Sequence, residues 1–197
     1  MTISKAQIFN ISLNICGVST PLENPNSSDN KAILLNNYYE LAKEYVLKDF
    51  DWNFASTYRV LTLTQNQISE SKFKYCYDYP NNCICARGIF EQNTNKEYSF
   101  SISCNNKGEK VILTDCKNAV LRFTQKIEKE IYFSCEFSMA LSYYLASLTA
   151  GVITGSSQKG EIAYQKYKEI LRKAKVLNAQ EGVEEVYDDN TYLDTRG

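Results

Sequence analysis

Histidine is missing from this chain altogether. Its absence removes the usual general base for a Ser or Cys nucleophile and the commonest protein ligand for metals. The seven cysteines, Cys16, Cys76, Cys83, Cys85, Cys104, Cys116 and Cys135, do not fill the gap, because they are scattered without the Cys-x-x-Cys spacing of a zinc site. Positive charge is not in surplus either. Lys and Arg number 22 against 23 Asp and Glu, with a pI near 5.7. A protein that grips duplex DNA carries a basic face, so tight nucleic-acid binding is not expected, although merely surrounding DNA is compatible with this balance. No basic and apolar leader opens the sequence, so the thiols are expected to be reduced and to serve as small buried hydrophobes. A phosphate loop is lacking too. The run from Gly151 to Gly160 has no Gly-Lys-Ser/Thr, and a helical rather than a strand pattern precedes it. No cofactor and no metal are expected.

Charge is absent from one long window, 137–158. A bilayer span needs about 20 mostly apolar residues, and this window has the length. Ser138, Ser142, Ser147, Thr149, Thr154, Ser156 and Ser157 interrupt it, however. The expectation is therefore a helix buried in protein on most of its circumference, with no membrane contact. Its stripes are Phe133, Phe137, Ala140, Tyr144, Leu148 and Leu141, Leu145, Val152. After a Gly/Ser break, Ala163, Tyr167, Ile170, Ala174 and Leu177 repeat at helical spacing, with Glu169 four residues before Lys173 in the favourable orientation.

The N-terminal part is helical as well. Ser4 can cap a helix with Ile8, Ile11 and Ile15 on one face, and Gly17 stops it. A loop over 19–30 leads to a second helix opened by Asp29 or Asn30. There Ala32, Leu35, Tyr39, Ala42 and Val46 form one apolar stripe and Leu34, Tyr38, Leu41 and Tyr45 a second, so a wide buried face is expected. Trp52, between Phe50 and Phe54, reads as a core anchor. From 73 the period changes to that of strands: 73–79, 83–90, 98–103, 110–114 and 119–123, separated by Asn-, Asp- and Gly-rich turns. Short turns imply antiparallel pairing. The fold class is thus α+β, a helical bundle of about four helices with an inserted antiparallel β-meander. The expected divisions are 1–64, N-terminal helices; 65–126, β-rich insertion; 127–179, C-terminal helical hairpin; and 180–197, an acidic tail with apolar anchors.

The element Asp51-Trp52-Asn53-Phe54-Ala55, followed by Tyr75-Cys76-Tyr77-Asp78-Tyr79-Pro80-Asn81-Asn82-Cys83 and then the aromatic-led helix Tyr132-Phe133 and Phe137, resembles the head-to-tail adaptors of short-tailed bacteriophages, the tail tubular protein A family. Asn82 stands where an aspartate is common in that family. The abundance of Asn, Lys and Ile suggests an AT-rich genome such as that of a crAss-like phage.

The resemblance implies a structural virion protein without enzymatic activity. It would form a ring, typically dodecameric, beneath the portal protein, extending the DNA channel and supporting the tail nozzle. The partners implied are other copies of the chain, the portal, tail proteins, and DNA that passes through without sequence-specific binding. The place implied is the head–tail interface of the virion, and the host cytoplasm during assembly. Portal binding would fall to the tail, through Val183, Val186, Tyr187, Tyr192, Leu193 and Arg196. Two other readings stay open: a virion-associated cell-wall glycosidase using a carboxylate pair from Glu128, Glu130 and Glu136, and a small scaffold or regulatory protein.

Overall fold

The computed structural model describes residues 3–64, 71–94 and 96–181, with side chains to 177. The first helix, α1 (Lys5–Ile15), starts at Ser4, whose hydroxyl accepts from Gln7 N while the Gln7 side chain accepts from Ser4 N at 2.8 Å, a capping box. Gly17 ends it with φ at +84°. The buried face is Ile8, Phe9, Ser12 and Leu13 rather than the expected Ile8, Ile11, Ile15. It is rotated because α1 presents Ser12 to the next helical layer, where its hydroxyl donates to Ser142 O at 3.0 Å. In the loop that follows, Leu22 is buried and bonded at both backbone groups by the side-chain amide of Asn10.

Helix α2 (Asn30–Asp49) is capped by Asp29, which accepts from Lys31 N at 2.7 Å. Beyond it, Trp52 is 2 % exposed, donates Nε1–H to Val46 O, and meets Phe50 and Phe137 edge to face. The anchor reading of Trp52 describes these contacts.

Helix α3 (Cys135–Thr154) and helix α4 (Ser157–Glu181) form a hairpin broken at Gly155, whose φ is +69°. By length and composition α3 is apolar enough to cross a membrane. In this fold it is the central helix, with α1, α2 and α4 packed around it. Its hydroxyls resolve the conflict between polarity and burial. Ser138, Ser142 and Thr149 each donate to the carbonyl four residues back, at 2.8, 2.8 and 2.9 Å. Gly160 brings α4 against α3, since a Cβ there would lie 2.9 Å from Ser147 O. Gly160→Ala should force the hairpin apart and lower stability by about 1–3 kcal/mol. Calorimetry of the full chain should show a Tm several degrees lower, and an unchanged Tm would count against this packing.

Between the helical halves the described residues form seven antiparallel strands in two sheets. One sheet has the order β1 (Ser56–Val60), β7 (Ala119–Gln125), β3 (Cys83–Glu91), β4 (Glu97–Tyr98). The other has the order β2 (Tyr75–Asp78), β6 (Lys110–Thr114), β5 (Phe100–Cys104). The architecture is α+β, with an antiparallel β-meander inserted in a bundle of four helices. The β part begins earlier than the 65–126 segment, because Ser56–Val60 pairs in full register with β7. The sheets share a core of Leu61, Tyr77, Ile89, Ile112, Leu121 and Phe123. The bundle core is separate and centres on Phe9, Tyr39, Trp52, Phe137 and Leu141.

The seam between the two cores is polar. Arg87 on β3 donates Nη2–H to the carbonyls of Leu47, Lys48 and Phe50 at the C-terminal end of α2, at 3.2, 2.9 and 2.8 Å. Its Nε donates to Thr124 Oγ1, and Arg122 pairs with Asp51 at 2.7 Å. A guanidinium suits this place because the last carbonyls of a helix lack partners and carry its negative dipole end.

Candidate interaction surfaces

On α2 the first apolar stripe is buried throughout: Ala32, Leu35, Tyr39, Ala42 and Val46. The second stripe is not. Leu34 and Tyr38 are half-buried, Leu41 is 64 % exposed and Tyr45 42 %. The buried face is narrower than the sequence implied, because α3 covers α2 from one side only. Val152, expected inside the α3 stripe, is 71 % exposed. The two helices run antiparallel, so these residues meet along one seam. Ile33, Leu34, Val152 and Ile153 line one shallow groove at the start of α2, edged by Asn30, Lys31 and Asn37. Leu148, Gly151, Val152, Gly160 and Tyr164 line a neighbouring groove of about 420 Å³ between α3 and α4, together with Ser147, Ser157 and Glu161. A band of apolar side chains with polar edges therefore crosses three helices with no side chain of the described residues over it.

Lower on the same side the band ends in a tyrosine cluster. Tyr45 stacks on Tyr144 with centroids 4.5 Å apart and planes 3° from parallel, and Tyr167 joins from α4 while donating its hydroxyl to Asp49 at 2.6 Å. Burial, with Tyr45 and Tyr164 adding to it, pushes Tyr144 up to about 12. Tyr167 is raised further by burial and by the Asp49 carboxylate that holds its proton. Tyr39 is raised by burial and by Glu130, which accepts its hydroxyl at 2.9 Å. A phenol whose folded value is raised binds its proton more tightly in the native state. Its contribution is thus fully present below about pH 10, where unfolded tyrosines ionise, and is lost as pH rises through the folded values. Urea unfolding followed at increasing pH should show stability falling above about pH 10, together with late ionisation at the phenolate absorbance. A profile without that fall would contradict the cluster.

The carboxylates considered for glycoside cleavage have different surroundings. Glu128 is exposed, Glu130 is engaged by Tyr39, and Glu136 lies in the first turn of α3 beside a small cavity lined by Trp52, Phe54 and Leu177. Glu169 forms its ion pair with Lys166 at 2.9 Å, and the expected Lys173 adds to the field that holds its carboxyl down. Leu177, expected inside the α4 stripe, is 46 % exposed, and Ile170 is half-buried. No group of three or more Cys, Asp or Glu among the described residues is placed to hold a metal. No disulfide joins the cysteines; Cys16, Cys76 and Cys116 are buried while Cys104 and Cys135 are exposed, and burial raises the Cys16, Cys83 and Cys116 thiols. A cleft of about 760 Å³ lies on the β side against Arg59, Asp78, Tyr79 and Lys110.

The residues expected to bind a portal, Val183, Val186, Tyr187, Tyr192, Leu193 and Arg196, lie outside the described residues. Sequence reasoning missed two features of these surfaces. Arg87 carried a signal, as the lone charge within the otherwise uncharged 83–90 strand. The bare second stripe of α2 carried none, since the same residues would serve a wide core. No protein-family model and no curated protein matches the chain.

Proposed function

We propose that the chain is a structural virion protein, a head-to-tail connector adaptor of the tail tubular protein A kind. Copies form a ring beneath the portal that extends the DNA channel and carries the tail. The observation that supports this reading best is the bare apolar band over α2, α3 and α4. A ring subunit needs apolar surface that its own fold leaves open, and it must meet a neighbour heterologously on each side. The near-neutral charge suits a conduit, because DNA must pass without being held. The portal and the tail nozzle are the proposed outside partners, and the virion head–tail interface is the proposed location.

Electron microscopy of purified virions tests the assignment. A ring of this chain between portal and tail is the expected result, and virions that carry it as a monomer, or lack it, overturn the reading. The tail has its own test. Deleting the residues after Ala179 should abolish co-sedimentation with the portal while circular dichroism stays unchanged, and retained binding would remove the tail from the portal contact.

A further inference from the structure

The helix that leads to the acidic tail carries a row of exposed cations. Lys168, Arg172 and Lys175 follow one another at steps of four and three residues, so they share one edge of α4, and all three are exposed. Lys168 Nζ sits 4.6 Å over the ring of Tyr164, which fixes that edge beside the α3/α4 groove. The one ion pair within α4 among the described residues, Lys166–Glu169, lies off this row, and of the three cations only Arg172 adds to the field that holds the Glu169 carboxyl down. The helix dipole does not account for the cations. Its effect fades within the last turn, whereas Lys168 and Arg172 stand two turns or more before Glu181.

The 16 residues that follow, 182–197, contain Glu184, Glu185, Asp188, Asp189 and Asp194 against Arg196, five acids less one base, or −4. The spacings of the two segments match. At 1.5 Å per residue, Lys175 to Lys168 spans about 10 Å. At about 3.3 Å per residue, the pair Glu184-Glu185 lies about 13 Å from the pair Asp188-Asp189 in an extended chain. Tyr192 and Leu193 follow about 26 Å beyond the first acidic pair, and Gly160 in the groove lies about 22 Å back along the helix from Lys175. We propose that in the free protein the segment 182–197 turns back and docks on its own α4. Its acidic pairs then lie along Lys175, Arg172 and Lys168, and Tyr192 and Leu193 enter the groove between Leu148, Val152 and Tyr164. A tether this short gives the chain's own tail a far higher effective concentration than that of a second copy.

The docking stands without the adaptor reading.

Zero-length carbodiimide cross-linking of the full chain, mixed from isotopically light and heavy protein, tests the docking. Links from Glu184 or Glu185 to Lys175, and from Asp188 or Asp189 to Lys168, are expected, each within a single isotopic label. Arg172→Glu should cut their yield severalfold while leaving both acceptor lysines in place. Tyr192→Ser with Leu193→Ser should do the same without touching any charge or any described residue, and this variant decides if Arg172→Glu disturbs α4. Absence of tail–α4 links, yields unaffected by the Tyr192/Leu193 change, or links of mixed label would each overturn docking in cis. Virions without a ring, with the links intact, would overturn the adaptor reading alone.

Discussion

Arg87→Met is expected to unfold the protein at a Tm of order 10 °C lower, a large effect for a side chain outside both apolar cores. The guanidinium closes three carbonyls at the end of α2 and the Thr124 hydroxyl of the neighbouring strand, and its Nε lies 3.7 Å from Asp51. Methionine keeps the apolar stem and removes every donor. The α2 carbonyls are then stranded in a partly buried seam, and Asp51 depends more heavily on Arg122. Losing a charge-assisted bond costs about 1.5–3 kcal/mol, and breaking a fully buried pair about 3–5. The side chains here are 17 % and 30 % exposed, so about 2–4 kcal/mol is expected after allowance for solvent. Arg87→Lys should recover less than half of the loss, since one ammonium cannot face three carbonyls and a hydroxyl in a planar fork. Urea unfolding measures both variants. A loss under about 1 kcal/mol for methionine would mean that the sheet is held to the bundle by its apolar contacts instead.

That seam also marks how far the sequence could be read. Elements with strong local signals were legible: Ser4, Asp29 and Gly155 each sit at a helix end where their chemistry puts them. The strands 83–90, 110–114 and 119–123 coincide with β3, β6 and β7 to within a residue or two. Strand β1 was hidden because Ser56–Val60 follows directly on the single 3-10 turn Asn53–Ala55, so the apolar pattern of the helix end runs into it without a turn signal. The stripes were legible as apolar but not as buried. Periodicity reports which face of a helix avoids water in the working state, and cannot say whether the cover is another helix of the same chain or another molecule. Leu41, Tyr45 and Val152 are the residues where that distinction falls. The tail carried its composition openly, yet what it meets is a property of α4, whose cations look like any solvated face until their common edge is seen.

Leu41→Glu combined with Val152→Glu is expected to abolish ring assembly while leaving the monomer folded. Both side chains are mostly exposed in the single chain, and changes at such positions alter stability by only about 0.5 kcal/mol. At an interface the same two changes act twice. Burial of a Leu or Val side chain is worth about 1.5–3 kcal/mol, so the pair forfeits about 3–6 kcal/mol per contact, and carboxylates facing an apolar neighbour add a desolvation cost. Each subunit contact would weaken by about 10² to 10⁴-fold. A closed ring repeats that contact at every junction, so assembly fails more steeply than any one pair. Sedimentation of the full chain with the portal reads the result: ring mass should disappear and the monomer's circular dichroism and Tm should hold. Lys107→Glu, in the β5–β6 turn away from the band, is the matched charge change and should assemble normally. Rings from the double variant at wild-type yield would place the subunit contact elsewhere. The exposed Tyr58 and Val60 of the edge strand β1 would then be the next surface to test.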